Sequence, residues 1–251
     1  MKCGTKQGGI LSPDFFSLYI DDLIKILRQK RVGCHITNLF IACILFADDM
    51  TLLAPTRDAM QEMLNVCARY CSDYCLKFNV EKTKIMIFGK ACTSVSSLAC
   101  VELDGKEIEF VYKCKYLGFY VVSSTNFKLS FQEDLCGFFG SVNSVLTGMT
   151  RPKENVLLQL LYRNCIPRLT YGAAVKDPTA AEKHRLNVSV NNAIRRIFGF
   201  KRWESIRYLR EFYRLDSIEV MFAKARARFE TGIANHRNYT LRFLSTLNSL
   251  E

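Results

Sequence analysis

The chain has 251 residues, 49% of them hydrophobic, which is enough to bury one or two cores and excludes a disordered protein. No run reaches the roughly 18–20 apolar residues of a membrane span, and the start, MKCGTKQGG, lacks the apolar segment of a secretory signal. The net charge of +11 is unevenly spread: residues 151–251 hold 19 Lys and Arg against 9 Asp and Glu, whereas residues 1–150 hold 16 against 15. That asymmetry predicts a polyanion partner for the last hundred residues, the plain alternative being a solvated helical surface. Eleven cysteines without paired spacing suit an intracellular, reducing compartment, cytoplasm or nucleus, better than a disulfide framework.

Ser12-Pro13-Asp14 has the form of a cap, a first-turn proline and an early acid, so a helix is expected over about 13–29. Phe15, Leu18, Leu23, Ile26 and Leu27 form its expected apolar side. Two short apolar runs, Phe40–Phe46 and Met50–Ala54, flank Asp48-Asp49 and predict a β-hairpin with acids at its tip. Thr56 can cap a helix over about 57–75, with Met60, Met63, Leu64, Cys67, Tyr70, Cys71 and Tyr74 on one side.

Lys84–Phe88 reads as a strand, 90–99 as a loop, and Asp104-Gly105 as a tight turn between Cys100–Leu103 and Glu107–Val111. Tyr116–Val122 reads as a further strand. Beyond it only helical periods occur, over about 127–147, 154–165, 179–198, 203–214 and 216–235. The expected class is α+β, with residues 1–122 as a mixed domain and 123–251 as a helical one.

Adjacent acids on an apolar hairpin are expensive to keep charged without a cation, and Mg²⁺ takes such oxygen ligands. Taken alone, an Asp-Asp pair is far more often an ordinary polar turn. Gly4–Pro13 is a glycine-rich loop entering a helix, where Gln7 offers both donor and acceptor. Lys82 and Lys84 could neutralise a polyphosphate, although surface lysines need no such role. Cys67, Cys71 and Cys75 lie four apart, which fits a buried helix face better than a zinc site. His35, His184 and His236 show no ligand spacing.

Four segments in order carry a resemblance: Gly4–Pro13 (Gly-x-x-Gln-Gly-x-x-Leu-Ser-Pro), Phe46-Ala47-Asp48-Asp49, Asn79–Lys84 (Asn-x-x-Lys-Thr-Lys) and Tyr116-Leu117-Gly118. Together they resemble the reverse transcriptases of non-LTR, LINE-like retrotransposons. The tract Asn192–Gly199, with Trp203-Glu204-Ser205 after it and Pro167–Gly172 before it, is similar to the region downstream of the polymerase in such elements.

The resemblance implies part of a right-hand polymerase palm over 1–122, followed by an all-helical thumb and its extension over 123–251. It implies an RNA template, a DNA primer and deoxynucleotide triphosphates as partners, with no membrane. Two Mg²⁺ ions would be held by Asp48 and Asp49, with Lys82 (Lys84 as fallback) acting at the pyrophosphate. Gln7, Gly8 and Phe46 would meet the nucleotide and template, and Tyr116, Leu117 and Gly118 would grip the primer. Arg195, Arg196, Lys201 and Arg202 would contact phosphates. In the family, a further aspartate upstream of the glycine-glutamine block completes the metal site. The expectation is therefore an incomplete site and an inactive chain unless the upstream polymerase segment is supplied. A non-catalytic nucleic-acid-binding remnant is the alternative, and a maturase-like intron protein a third reading.

Overall fold

Helix α1 (Ser12–Lys30) is the first element of the computed structural model, which describes residues 8–90, 100–148 and 152–248. Ser12 is already helical, and Leu11 stands at the cap position without a side-chain bond, so serine does not cap this helix as its sequence suggests. The buried stripe is also rotated from the expected one. Ile20, Leu23 and Leu27 are buried with Phe16 packed alongside, whereas Phe15 and Leu18 face outward at 55% and 72% exposure. Both stripes have helical spacing, and periodicity cannot choose between them when apolar residues lie on both.

Two hairpins follow: β1 (His35–Ile36) with β2 (Leu39–Phe40), and β3 (Cys43–Phe46) with β4 (Asp49–Leu52). Helix α2 (Arg57–Asp73) then crosses back. Thr56 caps it as expected, its hydroxyl accepting from the Ala59 amide at 3.2 Å. Met63, Val66, Cys67 and Tyr70 of α2 close on Ile20, Leu23 and Leu27 of α1, with Leu45, Met50 and Leu52 of the second hairpin against them. Each fully buried leucine here contributes about 1.5–3 kcal/mol. The Tyr70 hydroxyl donates to the Tyr19 carbonyl at 2.5 Å, tying α2 to α1.

The remaining strands of this part are short. β5 (Lys84–Ile85) pairs in parallel with β8 (Glu109–Phe110), and β6 (Glu102–Leu103) turns through Asp104-Gly105 into β7 (Lys106–Glu107). The expected strands at Lys84–Phe88 and Glu107–Val111 are thus shortened, the second because Ile108 leaves the hairpin to bury itself under α2 with Leu64, Val101 and Leu103. Gln61 of α2 serves β6 as a substitute strand, its amide nitrogen donating to the Glu102 carbonyl (2.9 Å) and its oxygen accepting from the Glu102 amide (2.8 Å). The expected loop at 90–99 lies almost wholly outside the described residues.

The chain forms two compact units, Met1–Cys114 with Ser123–Phe127, and Lys115–Val122 with Lys128–Glu251. β9 (Lys113–Tyr116), which enters the second unit at Lys115, makes a three-stranded sheet with β10 (Phe119–Val122) and β11 (Lys128–Leu129), ordered β11-β10-β9. The strand expected over Tyr116–Val122 holds for Phe119–Val122, but Leu117-Gly118 is a turn and Tyr116 belongs to the strand before it. Leu117 (φ 46°) and Gly118 (φ 84°) both take the left-handed conformation that a two-residue hairpin demands, and leucine there gives no usual turn signal.

Helices make up the rest: α3 (Gln132–Thr147), α4 (Glu154–Leu160), a π-helical turn (Leu161–Cys165), α5 (Ile166–Thr170), α6 (Ala180–Ile197), α7 (Arg207–Phe212), α8 (Ile218–Ala234) and α9 (Tyr239–Asn248). The first starts later than expected because Lys128-Leu129 pairs with β10. Pro167 has no N–H to continue the α pattern, and the wider π turn absorbs the change ahead of it. A capping box opens α6, Glu182 and Thr179 each satisfying the other's amide. Leu186, Val190, Ala193, Ile194 and Ile197 of α6 pack with Leu135, Phe138 and Val142 of α3 and with Ile218 and Phe222 of α8. No helix among the described residues is long and apolar enough to cross a membrane. The overall class is α+β, short sheets first and mostly helices after.

Candidate functional site

The acids of the β3–β4 hairpin stand where the strands reverse. Phe46 pairs with Asp49 in register, so Ala47 and Asp48 form the two-residue turn and Asp49 begins the return strand. Ala47 holds φ 52°, a left-handed conformation that aligns the turn with the twist of the strands. Asp48 and Asp49 are exposed, and neither carboxylate has an ion-pair partner among the described residues. Phe46, 62% exposed, lies beside them on the solvent side of β3.

Lys82 lies on a separate turn of the same unit. Asn79 builds this turn, its side-chain oxygen accepting from the Lys82 amide (3.2 Å) and its carbonyl from the Thr83 amide (3.0 Å) and hydroxyl (2.9 Å). The Lys82 side chain is exposed, whereas Lys84 is engaged at 2.6 Å with Glu109 across the β5–β8 pair. No hydrogen bond or ion pair among the described residues links Lys82 to Asp48 or Asp49. Gly8 is exposed at φ 82° ahead of α1, and Gln7 lies outside the described residues. Among the described residues, no group of three His, Cys, Asp or Glu side chains could hold a metal. Cys67 and Cys71 are buried, and burial raises their thiols to about 12 and about 11, so they are core side chains rather than ligands.

In the second unit, the Leu117-Gly118 turn is clamped from one side. Tyr171 stacks on Phe119 with ring centres 5.0 Å apart and donates its hydroxyl to the Leu117 carbonyl at 3.1 Å. A Cβ on Gly118 would come within 2.8 Å of the Tyr171 ring, and one on Gly172 within 2.0 Å of the Phe119 ring. Behind them Lys176, 2% exposed, pairs with Asp134 at 2.5 Å and places its ammonium 5.4 Å from the Phe119 ring and 5.1 Å from that of Phe131. The Tyr116 hydroxyl is buried without a hydrogen-bond partner among the described residues. The only local sequence trace of this clamp is the Tyr171-Gly172 pair directly after a helix, at the end of Pro167–Gly172.

The expected phosphate contacts differ in freedom. Arg195 is tied to the Glu204 carbonyl (2.8 Å) and to Asn192 (3.0 Å), and Arg196 to Asn143 (2.9 Å). Lys201 and Arg202 are exposed, the Lys201 ammonium 5.6 Å from the Trp203 ring.

Residues 1–121 match the family model described as reverse transcriptase (RNA-dependent DNA polymerase). Those residues are a reverse transcriptase domain. Its relatives are retrotransposon proteins. The Pol polyprotein of the type-2 element R2DM of Drosophila melanogaster is 37% identical over 79 residues, 32% of this chain and 7% of that protein. That of the type-1 element R2 of Popillia japonica is 26% identical over 211 residues, 78% of this chain and 32% of the relative. The probable RNA-directed DNA polymerase from transposon BS of Drosophila melanogaster is 23% identical over 255 residues, covering 97% and 28%. The chain thus spans less than a third of each of these relatives. No solved structure matches it significantly. The reverse transcriptase family uses a nucleic-acid template and primer and a divalent metal.

Proposed function

We propose that the chain is part of a retrotransposon RNA-directed DNA polymerase in which Asp48 and Asp49 are metal ligands. The observation that carries this reading is the pair of exposed, unpaired carboxylates at the turn of β3–β4, inside the stretch that matches the reverse transcriptase family. Carboxylates free of protein cations suit Mg²⁺, which takes hard oxygen donors and leaves positions for substrate phosphates. When bound, the metal neutralises the polyphosphate and makes the primer hydroxyl a better nucleophile.

The other roles belong to the chain itself. Lys82 would stabilise the departing pyrophosphate, in preference to Lys84, whose ammonium is committed to Glu109. Gln7, Gly8 and Phe46 would meet the templating pair and incoming nucleotide. Tyr116, Leu117 and Gly118 would hold the primer, on a turn that Tyr171 fixes in place. Arg195, Arg196, Lys201 and Arg202 would face phosphates, Lys201 and Arg202 being the more available for it.

A second reading, a nucleic-acid-binding protein without catalysis, draws on one observation: residues 151–251 hold 19 Lys and Arg against 9 Asp and Glu. Primer extension on an RNA template with Mg²⁺, run with the upstream polymerase segment supplied to the chain, separates the two. Extension that Asp49→Asn abolishes supports the polymerase, and extension that survives the substitution removes Asp49 from the metal site. Binding of an RNA–DNA hybrid without extension is the result expected of the second reading.

A further inference from the structure

Four aromatic rings between Gly199 and Tyr213 face solvent: Phe200 at 40%, Trp203 at 80%, Tyr208 at 74% and Phe212 at 66% exposure. Large apolar rings so close together in sequence and so open are uncommon on a surface with nothing to bind. They are not on a loose segment. The Phe200 amide donates to the Arg195 carbonyl (2.8 Å), the Glu204 carboxylate accepts from the Lys201 amide (2.5 Å), and the Arg195 guanidinium holds the Glu204 carbonyl (2.8 Å). Ile206 and Leu209, 4% and 9% exposed, anchor the segment to the helical core from beneath. Tyr208 and Phe212 lie one turn apart on α7 and stack, centres 6.1 Å apart at 26°.

The charge of the segment selects the occupant. Residues 195–214 contain seven Lys and Arg against two acids, Glu204 and Glu211. Both acids are already used, Glu204 on the Lys201 amide and Glu211 in an ion pair with Arg207 at 2.9 Å. Rings interleaved with unneutralised cations match a ligand that offers flat faces and phosphates together. An unpaired nucleic-acid strand offers both, whereas a duplex keeps its base faces stacked inside. An acidic peptide offers charge without a row of flat faces.

We infer that Phe200–Phe212 is a stacking platform for single-stranded nucleic acid, with Trp203, Tyr208 and Phe212 against bases and Lys201 and Arg202 against phosphates. The inference rests on the reading above only in taking nucleic acid as the polyanion. Primer extension can fail while the platform binds, and the platform can fail while extension proceeds, so the two are tested apart.

Trp203 is the single tryptophan of the chain, so its fluorescence reports on this site alone. The full chain is titrated with a short oligothymidylate, with a blunt DNA duplex of equal length, and with polyglutamate. The expected result is quenching of Trp203 by oligothymidylate, little quenching by the duplex and none by polyglutamate. Tyr208→Ala and Phe212→Ala, both at exposed positions, should each weaken oligothymidylate binding by about tenfold while leaving duplex affinity and the far-ultraviolet circular dichroism unchanged. Equal quenching by the duplex or by polyglutamate, no quenching by oligothymidylate, or variants that bind it as tightly as the parent would each overturn the inference.

Discussion

The hydroxyl of Tyr171 donates to the main-chain oxygen of Leu117, 3.1 Å away, so a residue after α5 fixes a hairpin turn more than fifty positions earlier. The same ring lies over Gly118 and stacks on Phe119, and Gly172 gives Phe119 the room to do so. Tyr171→Phe, which removes only the hydrogen bond, should lower stability by about 1 kcal/mol.

Gly172→Ala should be far more damaging. Its Cβ would sit 2.0 Å from the Phe119 ring at a backbone φ of +63°. Overpacking and left-handed strain together should cost about 2–4 kcal/mol, lowering the thermal midpoint by roughly 5–10 °C. A midpoint within a degree of the parent in a calorimetric scan would mean that Phe119 yields freely.

Lys176 and Asp134 give a second test. Their side chains are 1% and 14% exposed, so Asp134→Ala strands an ammonium in the core beside two aromatic rings. Denaturant unfolding should report a loss of about 3–5 kcal/mol, whereas replacing both partners with apolar residues, Lys176→Met with Asp134→Leu, should recover most of it.

The buried thiols make stability fall in alkali. Burial raises Cys67 from an ordinary 9.0 to about 12, and Cys71 to about 11. The neutral thiol is the form the fold prefers. Above pH 9 the unfolded chain ionises first, so stability falls from there until the folded thiols themselves ionise, near 11–12. Native alkylation at pH 8 should mark exposed Cys75, Cys100 and Cys136 and spare Cys67, Cys71 and Cys165 until denaturant is added, as peptide mass mapping would show.

Binding to an RNA–DNA hybrid should be strongly salt-dependent. If Arg195, Arg196, Lys201 and Arg202 each neutralise one phosphate, log K against log salt should slope by about −3 to −4. Lys201→Gln with Arg202→Gln should reduce that slope by about 2. An unchanged slope would move the contacts elsewhere in the basic half.

What could be read from the sequence followed from local chemistry. Thr56 before α2 and Asp104-Gly105 between β6 and β7 act through neighbours within three residues, and each does in the structure what its type suggests. Long-range packing was hidden. The face that α1 buries is decided by α2 and the β3–β4 hairpin, and in the Leu117-Gly118 turn only the glycine is a usual turn residue, the leucine carbonyl being held by Tyr171. At the candidate site, the order of the four motifs was legible, and so were the acids at the hairpin. That Lys84 is taken by Glu109, and that the solvent-facing rings beside Lys201 and Arg202 belong to one pinned segment, depended on contacts no spacing encodes.

The hairpin strands Lys115–Val122 group with the helices although Ser123–Phe127, directly after them, group with the first unit. Scissors applied after Val122 would therefore carry Phe119 away from Tyr171 and Lys176, leaving an aromatic without its stack on one piece and a hole on the other. The polypeptide weaves between its two bodies before settling into the second. Anyone wishing to study either half in isolation must reroute the backbone, by permutation or by relinking Cys114 to Ser123, instead of trimming it.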